Sequence, residues 1–149
     1  MLSTNLALFT ILVIAWMTIG LRPFLLVELP IVLIGGGIGV YLFYVQHQFE
    51  DTYWREHPEW EFHAAGLQGS SFLALPKVLE WFSANIGYHH IHHVNSRIPY
   101  YRLRDCYTEN PTLQHVTRLT LPETVRCLRL SLWDEREQRL VTFGQARAR

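Results

Sequence analysis

Two long apolar stretches dominate the first third of the chain. Residues 2–21 contain no charged side chain, and residues 24–45 contain only Glu28. At about 1.5 Å per residue, helices of this length reach roughly 30 Å, which is the thickness of the hydrocarbon core of a bilayer. The segment Gly20-Leu21-Arg22-Pro23, where the two stretches meet, interrupts a helix. The pattern predicts two antiparallel transmembrane helices with a short connection.

Charge and histidine are concentrated after this region. The chain has 13 basic and 13 acidic residues, and all but Arg22 and Glu28 lie after residue 46, as do all eight histidines. A balanced charge argues against nucleic-acid binding, and the position of the basic residues favours a cytoplasmic location for the segment after the helices. We therefore predict an all-α membrane protein: a transmembrane helical hairpin in residues 1–46, with helices at about 2–21 and 24–45, followed by a mostly helical cytoplasmic cap in residues 47–149.

Several shorter patterns predict elements of the cap. Residues 72–82 have apolar positions at helical spacing, which is typical of an amphipathic helix on a bilayer or of an ordinary core helix. A helix is expected from Leu121 to Leu132, and a hairpin in residues 133–143. Cys106 and Cys127 form no C-x-x-C motif, so an iron–sulfur centre is not expected and electrons would come from a separate protein.

The densest chemical signal is a run of four histidines in residues 89–93. On a helix, His89, His92 and His93 stand at positions i, i+3 and i+4 and project from one face, whereas His90 points elsewhere. This spacing suits a metal, and imidazole binds iron, zinc and copper alike. His47, at the end of the second apolar stretch, is either a further ligand or an interfacial polar residue. Single histidines elsewhere are expected at the surface or behind the ligands; they are His57, His63 and His115.

The residues around this run resemble a known family. The sequence His89-His90-Ile91-His92-His93 resembles the third histidine box, H-x-x-H-H, of membrane fatty acid desaturases, and residues 96–103, Ser-Arg-Ile-Pro-Tyr-Tyr-Arg-Leu, resemble the segment that follows it in acyl-lipid members. Residues 43–54 are similar to the end of the last membrane crossing in bacterial omega-6-type members. The resemblance extends from the apolar stretches to residue 130 and is strongest in residues 41–103.

The resemblance implies an oxygen-dependent enzyme that introduces a double bond into an acyl chain with a di-iron centre. His89, His92 and His93 match the ligands of the third box, and His47 resembles an extra histidine at the end of the last crossing. It also implies a bilayer-bound acyl-lipid or fatty acyl substrate, and an electron donor such as ferredoxin or a cytochrome b5-like protein. The expected location is the bacterial inner membrane, with the cap in the cytoplasm.

One departure from the family pattern limits this expectation. The first two histidine boxes belong to the earlier part of the family's fold, and residues 1–46 contain no histidine. We therefore expect the chain to correspond to the C-terminal half of a desaturase, to be inactive alone, and to need the missing half or an oligomer. Two alternatives stay open: a hydroxylase or ketolase of the same superfamily, and a small non-catalytic membrane protein with a structural zinc site.

Overall fold

A computed structural model describes residues 1–148, which divide into two units, residues 1–41 and the residues from Leu42 onward. The first unit contains α1 (Leu2–Thr18) and most of α2 (Leu21–His47), whose last turn lies in the second unit. Gly20, with φ +84°, separates the two helices in a conformation that favours glycine. Nearly all side chains of α1 are exposed, Ala15 being its one buried residue.

Both apolar stretches are helical, with boundaries that differ from the predicted ones. The first helix ends at Thr18 and not near residue 21, and the second begins at Leu21 and not at residue 24. Pro23 falls in the first turn of α2, where its missing N–H has no helical partner to lose. In residues 1–148, α2 is the helix that is both long and apolar enough to cross a membrane, and α1 is apolar but only 17 residues long.

The second unit is built from short helices. They are α3 (Phe62–Gln68), α4 (Lys77–Phe82), α5 (His89–Val94), α6 (Leu103–Glu109), α7 (Leu121–Cys127) and α8 (Phe143–Arg147). Single 3₁₀ turns occur at His57–Glu59, Ile86–Tyr88, Tyr100–Arg102 and Pro111–Gln114. Helix α7 begins with a capping box between Thr120 and Glu123 and ends earlier than the predicted Leu132.

The prediction of a mostly helical fold is confirmed, but the expectation of an all-α protein is wrong, because the described residues also include four short strands. Strand β1 (Phe72–Ala74) pairs in parallel with β2 (Arg118–Thr120), and β3 (Leu132–Asp134) pairs antiparallel with β4 (Arg139–Val141). The second pair confirms the hairpin predicted in residues 133–143. The predicted helix over residues 72–82 is wrong in its first half, since Pro76 prevents helix before it and α4 begins only at Lys77.

An aromatic core lies between β1 and the residues that precede and follow α5. Phe72, Tyr88, Ile91 and Leu103 are its buried members, and the Phe72 ring stacks on the ring of Tyr107 with centroids 4.8 Å apart. This core buries one side of α5 and leaves the opposite side for the histidines.

Candidate metal centre

Helix α5 separates its histidines into two groups. His90 is completely buried, and its Nε2 donates a hydrogen bond to the carbonyl oxygen of Leu113 at 3.1 Å. His89 and His93 lie on the other side of the helix, with ring centroids 4.5 Å apart. The division follows from the helical period, because Ile91 and His90 are held in the core. His90 is therefore a structural residue of the helix.

Six residues are too few for a helix that is stable alone, so packing must hold α5 in place. Helix α3 packs against α5, and Gly66 of α3 makes the close approach possible. A Cβ atom at Gly66 would lie 3.2 Å from Cγ2 of Val94, at the end of α5. The glycine thus allows the α3 backbone to support the helix that carries the histidines.

The last turn of α2 brings a third imidazole to this group. His47 Nε2 lies 2.8 Å from His93 Nε2, which lies 3.1 Å from His89 Nε2. One nitrogen from each of the three rings lies within 4.8 Å of the other two. Residues separated by more than 40 positions in sequence therefore present three nitrogen ligands to one point.

A backbone hydrogen bond sets the orientation of His47. Its Nδ1 lies 2.7 Å from the carbonyl oxygen of Phe43, which can only accept a hydrogen bond. Nδ1 must therefore carry the proton, and in the neutral ring Nε2 presents its lone pair to His93. Ligating histidines in proteins are commonly held by this kind of contact, which fixes both the tautomer and the ring plane.

Gln46, next to His47, anchors the end of α2. Its side chain is fully buried, and its Nε2 donates a hydrogen bond to the carbonyl oxygen of Ile86 at 2.7 Å. Its own carbonyl oxygen accepts a hydrogen bond from the N–H of Ser71 at 2.9 Å. These two contacts connect the end of α2 to the segments before β1 and before α5. Sequence patterns do not single out this residue, because its partner Ile86 is 40 positions away.

The surroundings of His89 and His93 favour their unprotonated forms. Burial, followed by repulsion from His93 and His47, lowers the pKa of His89 to about 4. Desolvation, followed by repulsion from His47 and His92, also lowers the pKa of His93. Because an imidazole must be unprotonated to bind a metal, these shifts prepare both rings as ligands.

His92, the fourth predicted ligand, lies outside the three-nitrogen cluster. It is exposed, and its ring lies nearly parallel to that of His89 with centroids 5.7 Å apart. It also lines a small cavity together with His89. The structure thus brings together His47, His89 and His93 and leaves His92 beside them.

The cluster fits a transition metal. Two imidazole nitrogens that bind one ion at about 2.1 Å and at right angles lie about 3 Å apart. The spacings of 2.8 and 3.1 Å agree with this value. Three imidazole nitrogens, with the tautomer of His47 set by the Phe43 carbonyl, form a donor set suitable for iron, zinc or copper.

Known proteins identify the family. Residues 1–118 match the family model described as Fatty acid desaturase, a range that contains all four predicted ligands. A fatty acid desaturase of Bacillus subtilis (strain 168) is 43% identical over 140 residues, which is 94% of this chain. The chain belongs to the fatty acid desaturase family. Members of this family are membrane-associated, iron-using oxidoreductases, in agreement with the apolar α2 and the histidine cluster.

This chain is much shorter than the Bacillus subtilis relative. The alignment covers 40% of the Bacillus subtilis protein, so the chain spans less than half of the relative's length. No solved structure matches the chain.

Proposed function

We propose that the chain contributes His47, His89, His92 and His93 to the di-iron centre of a membrane fatty acid desaturase, which introduces a double bond into an acyl chain. The observation that carries the proposal is the convergence of three imidazole nitrogens from α2 and α5. Because the chain belongs to the fatty acid desaturase family, iron is the metal that we expect these nitrogens to bind.

The overall reaction uses two hydrogens from neighbouring carbons of the acyl chain, one dioxygen, two electrons and two protons, and yields the double bond and two waters. Iron, when bound, would supply the activation of dioxygen. His47, His89 and His93 would hold the metal through imidazole nitrogens, and the hydrogen bond to the Phe43 carbonyl leaves Nε2 of His47 free to bind it. A ferredoxin or cytochrome b5-like protein would supply the electrons.

Four histidines are enough for part of a di-iron centre. The position of His92 outside the cluster makes it available to the second iron. We propose that the other ligands come from two further histidine boxes outside residues 1–149, in an additional segment or a second polypeptide. On this proposal the chain alone is inactive, residues 1–46 form a transmembrane hairpin in the bacterial inner membrane, and residues 47–149 form the cytoplasmic cap.

Metal binding by the purified full chain in detergent tests whether the proposed histidines are ligands. Anaerobic titration with Fe(II), and with Co(II) as a coloured substitute, should show one site whose affinity falls at least about tenfold in His47→Ala, His89→Ala and His93→Ala. His115→Ala is the matched control, since the His115 ring lies outside the cluster. Equal affinity in all four variants would contradict the proposed ligands.

A chimera tests the activity. The segment of the Bacillus subtilis desaturase that aligns with this chain is replaced by the chain, and host fatty acids are analysed by gas chromatography. We expect unsaturated products, their loss in His93→Ala, and no change in His115→Ala. Hydroxy or keto products would support the hydroxylase or ketolase alternative. Because zinc binds nitrogen sites more tightly than ferrous iron, activity with iron is the deciding measurement: a membrane-inserted chimera that carries zinc and makes no product would contradict the proposal.

A further inference from the structure

Helix α4 exposes most of its apolar side chains and buries its one acidic residue. Trp81 and Phe82 are each 75% exposed, and Val78 and Leu79 are exposed as well. Glu80, by contrast, is only 8% exposed. A surface helix normally buries its apolar stripe and exposes its charges. An exposed apolar face with a tryptophan is typical of a segment that lies in the interfacial region of a bilayer.

A cavity of about 430 Å³ opens beside this helix. Its size lies within the range of about 300–1,000 Å³ that is usual for small-molecule sites. Two cations, Lys77 and Arg104, line it together with Trp81. Trp81 therefore belongs both to the apolar face of α4 and to the wall of the cavity, so the two features are continuous.

The cavity contains charges of both signs. Glu80 lies 4.0 Å from Arg104, and Asp105 forms an ion pair with Arg102 at 3.3 Å. For Lys77, no ion pair is found within residues 1–148. Paired carboxylates beside two cations disfavour a purely anionic ligand and suit one that carries a phosphate and an ammonium together.

A second cavity of about 200 Å³ adjoins this site and is lined by two of the predicted ligands. The two cavities share Ala84 and Tyr100, and the second also includes Ile98 and two histidines, His89 and His92. A ligand with a polar head in the first cavity and an apolar chain in the second would pass beside the metal-binding face of α5.

We propose that the first cavity binds the headgroup of a zwitterionic phospholipid, with Lys77 and Arg104 on the phosphate and Asp105 near the ammonium. The inference rests on the proposed function in one respect, that the acyl chain of this lipid is the substrate carried past His89. The apolar face of α4 favours a lipid-borne phosphate over a free one, because it places the mouth of the cavity at a lipid surface.

Lipid binding is measured on the full chain in maltoside detergent without metal. The probe is dihexanoyl phosphatidylethanolamine, and the signal is tryptophan emission. We expect saturable binding that shifts the emission, and loss of the shift in Trp81→Phe. Lys77→Gln and Arg104→Gln should each weaken binding about tenfold, the effect of losing one hydrogen bond to a charged group. Arg129→Gln, an exposed arginine outside the cavity, is the matched control and should bind normally.

Each alternative outcome has a defined meaning. Binding of inorganic phosphate or dihexanoyl phosphatidylglycerol as tight as that of phosphatidylethanolamine would overturn the zwitterionic headgroup site. So would equal lipid binding in Lys77→Gln and Arg129→Gln, and because Lys77 is exposed, its substitution should not prevent folding. Iron titration of the same variants separates this proposal from the proposed function. Intact iron binding without lipid binding refutes the headgroup site alone, whereas histidine variants that keep their iron refute the metal centre.

Discussion

At the scale of single residues, the position of His47 depends on its neighbour. Gln46 fixes the end of α2 through the carbonyl of Ile86 and the N–H of Ser71, and the Phe43 carbonyl then orients the imidazole. A metal site requires ligand atoms held to a fraction of an ångström, so groups behind the ligands control its affinity. We therefore expect Gln46 to act as a positioning residue for His47 in the candidate metal centre.

Gln46→Leu should weaken metal binding by about tenfold, because the last turn of α2 loses its side-chain contact with the Ile86 carbonyl. Titration of the detergent-solubilised chain with Co(II) measures the effect. Gln48→Leu is the control: its side chain also donates to a backbone carbonyl, that of Leu130 at 2.9 Å, and not to the segment before α5. Equal losses in both variants would show that the effect is general destabilisation.

A second prediction at this scale concerns the loss of folding stability at acidic pH. Burial lowers the pKa of His90 to about 4 from an ordinary value of 6.5, and His89 is lowered to a similar value. The unfolded chain therefore binds more protons than the folded chain between these pH values, and stability present above about pH 6.5 is lost as the pH falls toward 4. The urea-unfolding midpoint of the metal-free chain should be lower at about pH 5 than at about pH 7.5.

In His90→Gln this difference should shrink, because glutamine can replace the hydrogen bond to Leu113 and does not titrate. His57→Gln, in an exposed 3₁₀ turn, is the control. A midpoint that does not change over this interval would contradict the assignment.

The helical spacing of the histidines predicts much of this residue-scale arrangement. It indicates that His89 and His93 share a face and that His90 points away, both of which the structure shows. It does not predict that His92 lies outside the cluster, since this depends on rotamers and on His47. The role of Gln46 was equally out of reach, because its partner Ile86 is 40 residues away and leaves no local pattern.

At the scale of elements, the site depends on close backbone contacts. Gly87, just before α5, lies so near β1 that a Cβ atom there would stand 2.3 Å from the carbonyl oxygen of Leu73. No real Cβ tolerates this distance from a backbone atom, so any side chain would push α5 away from β1. The glycine therefore allows α5 to pack closely against β1 and the core.

Gly87→Ala should lower the free energy of unfolding of the cap by about 1–3 kcal/mol and weaken metal binding in the same variant. Thermal unfolding and Co(II) titration measure the two effects. Gly144→Ala is the matched control, because a Cβ atom there meets only Oγ1 of Thr142 at 3.8 Å, inside α8. In a helix that substitution should be neutral or stabilising. A Gly87→Ala chain as stable as Gly144→Ala would refute the packing argument.

Sequence patterns predict an element well when its partner lies nearby in the sequence. The hairpin of β3 and β4 was predicted from two short runs around a charged turn. Strand β1 was not, because its three residues become a strand only by pairing with β2, 46 positions later. Apolar periodicity alone predicts that the helix extends backward into β1. The helix in fact begins after Pro76, which keeps the residue before it out of a helical conformation.

At the scale of the whole molecule, the question is how the first unit meets the bilayer. Helix α2, with 27 residues, is long enough to cross, whereas α1, with 17, reaches about 26 Å at about 1.5 Å per residue. A helix slightly shorter than the hydrocarbon core can be accommodated by local thinning of the bilayer. The proposed hairpin therefore remains physically reasonable with helices of unequal length.

Reporter fusions distinguish a hairpin from a single crossing. If both helices cross, the two termini lie on the same side, and the basic residues after residue 46 favour the cytoplasm for that side. Green fluorescent protein should then fluoresce at either terminus, and alkaline phosphatase should be inactive at the C-terminus. Opposite results at the two termini would indicate that α2 alone crosses. The sequence pattern predicts the two apolar helices, but the number of crossings also depends on the lipid.

The parallel pairing of β1 with β2 has a consequence for the order of folding. Residues 72–74 obtain their partner strand only when residues 118–120 are available, so the segment that supports α5 closes a long loop. Non-local steps of this kind are slow compared with the formation of helices. Because α5 is too short to be stable alone, the histidine helix and its position against the core are both set late. A chain that stops before Thr120 should therefore hold the metal-binding residues without the scaffold that aligns them.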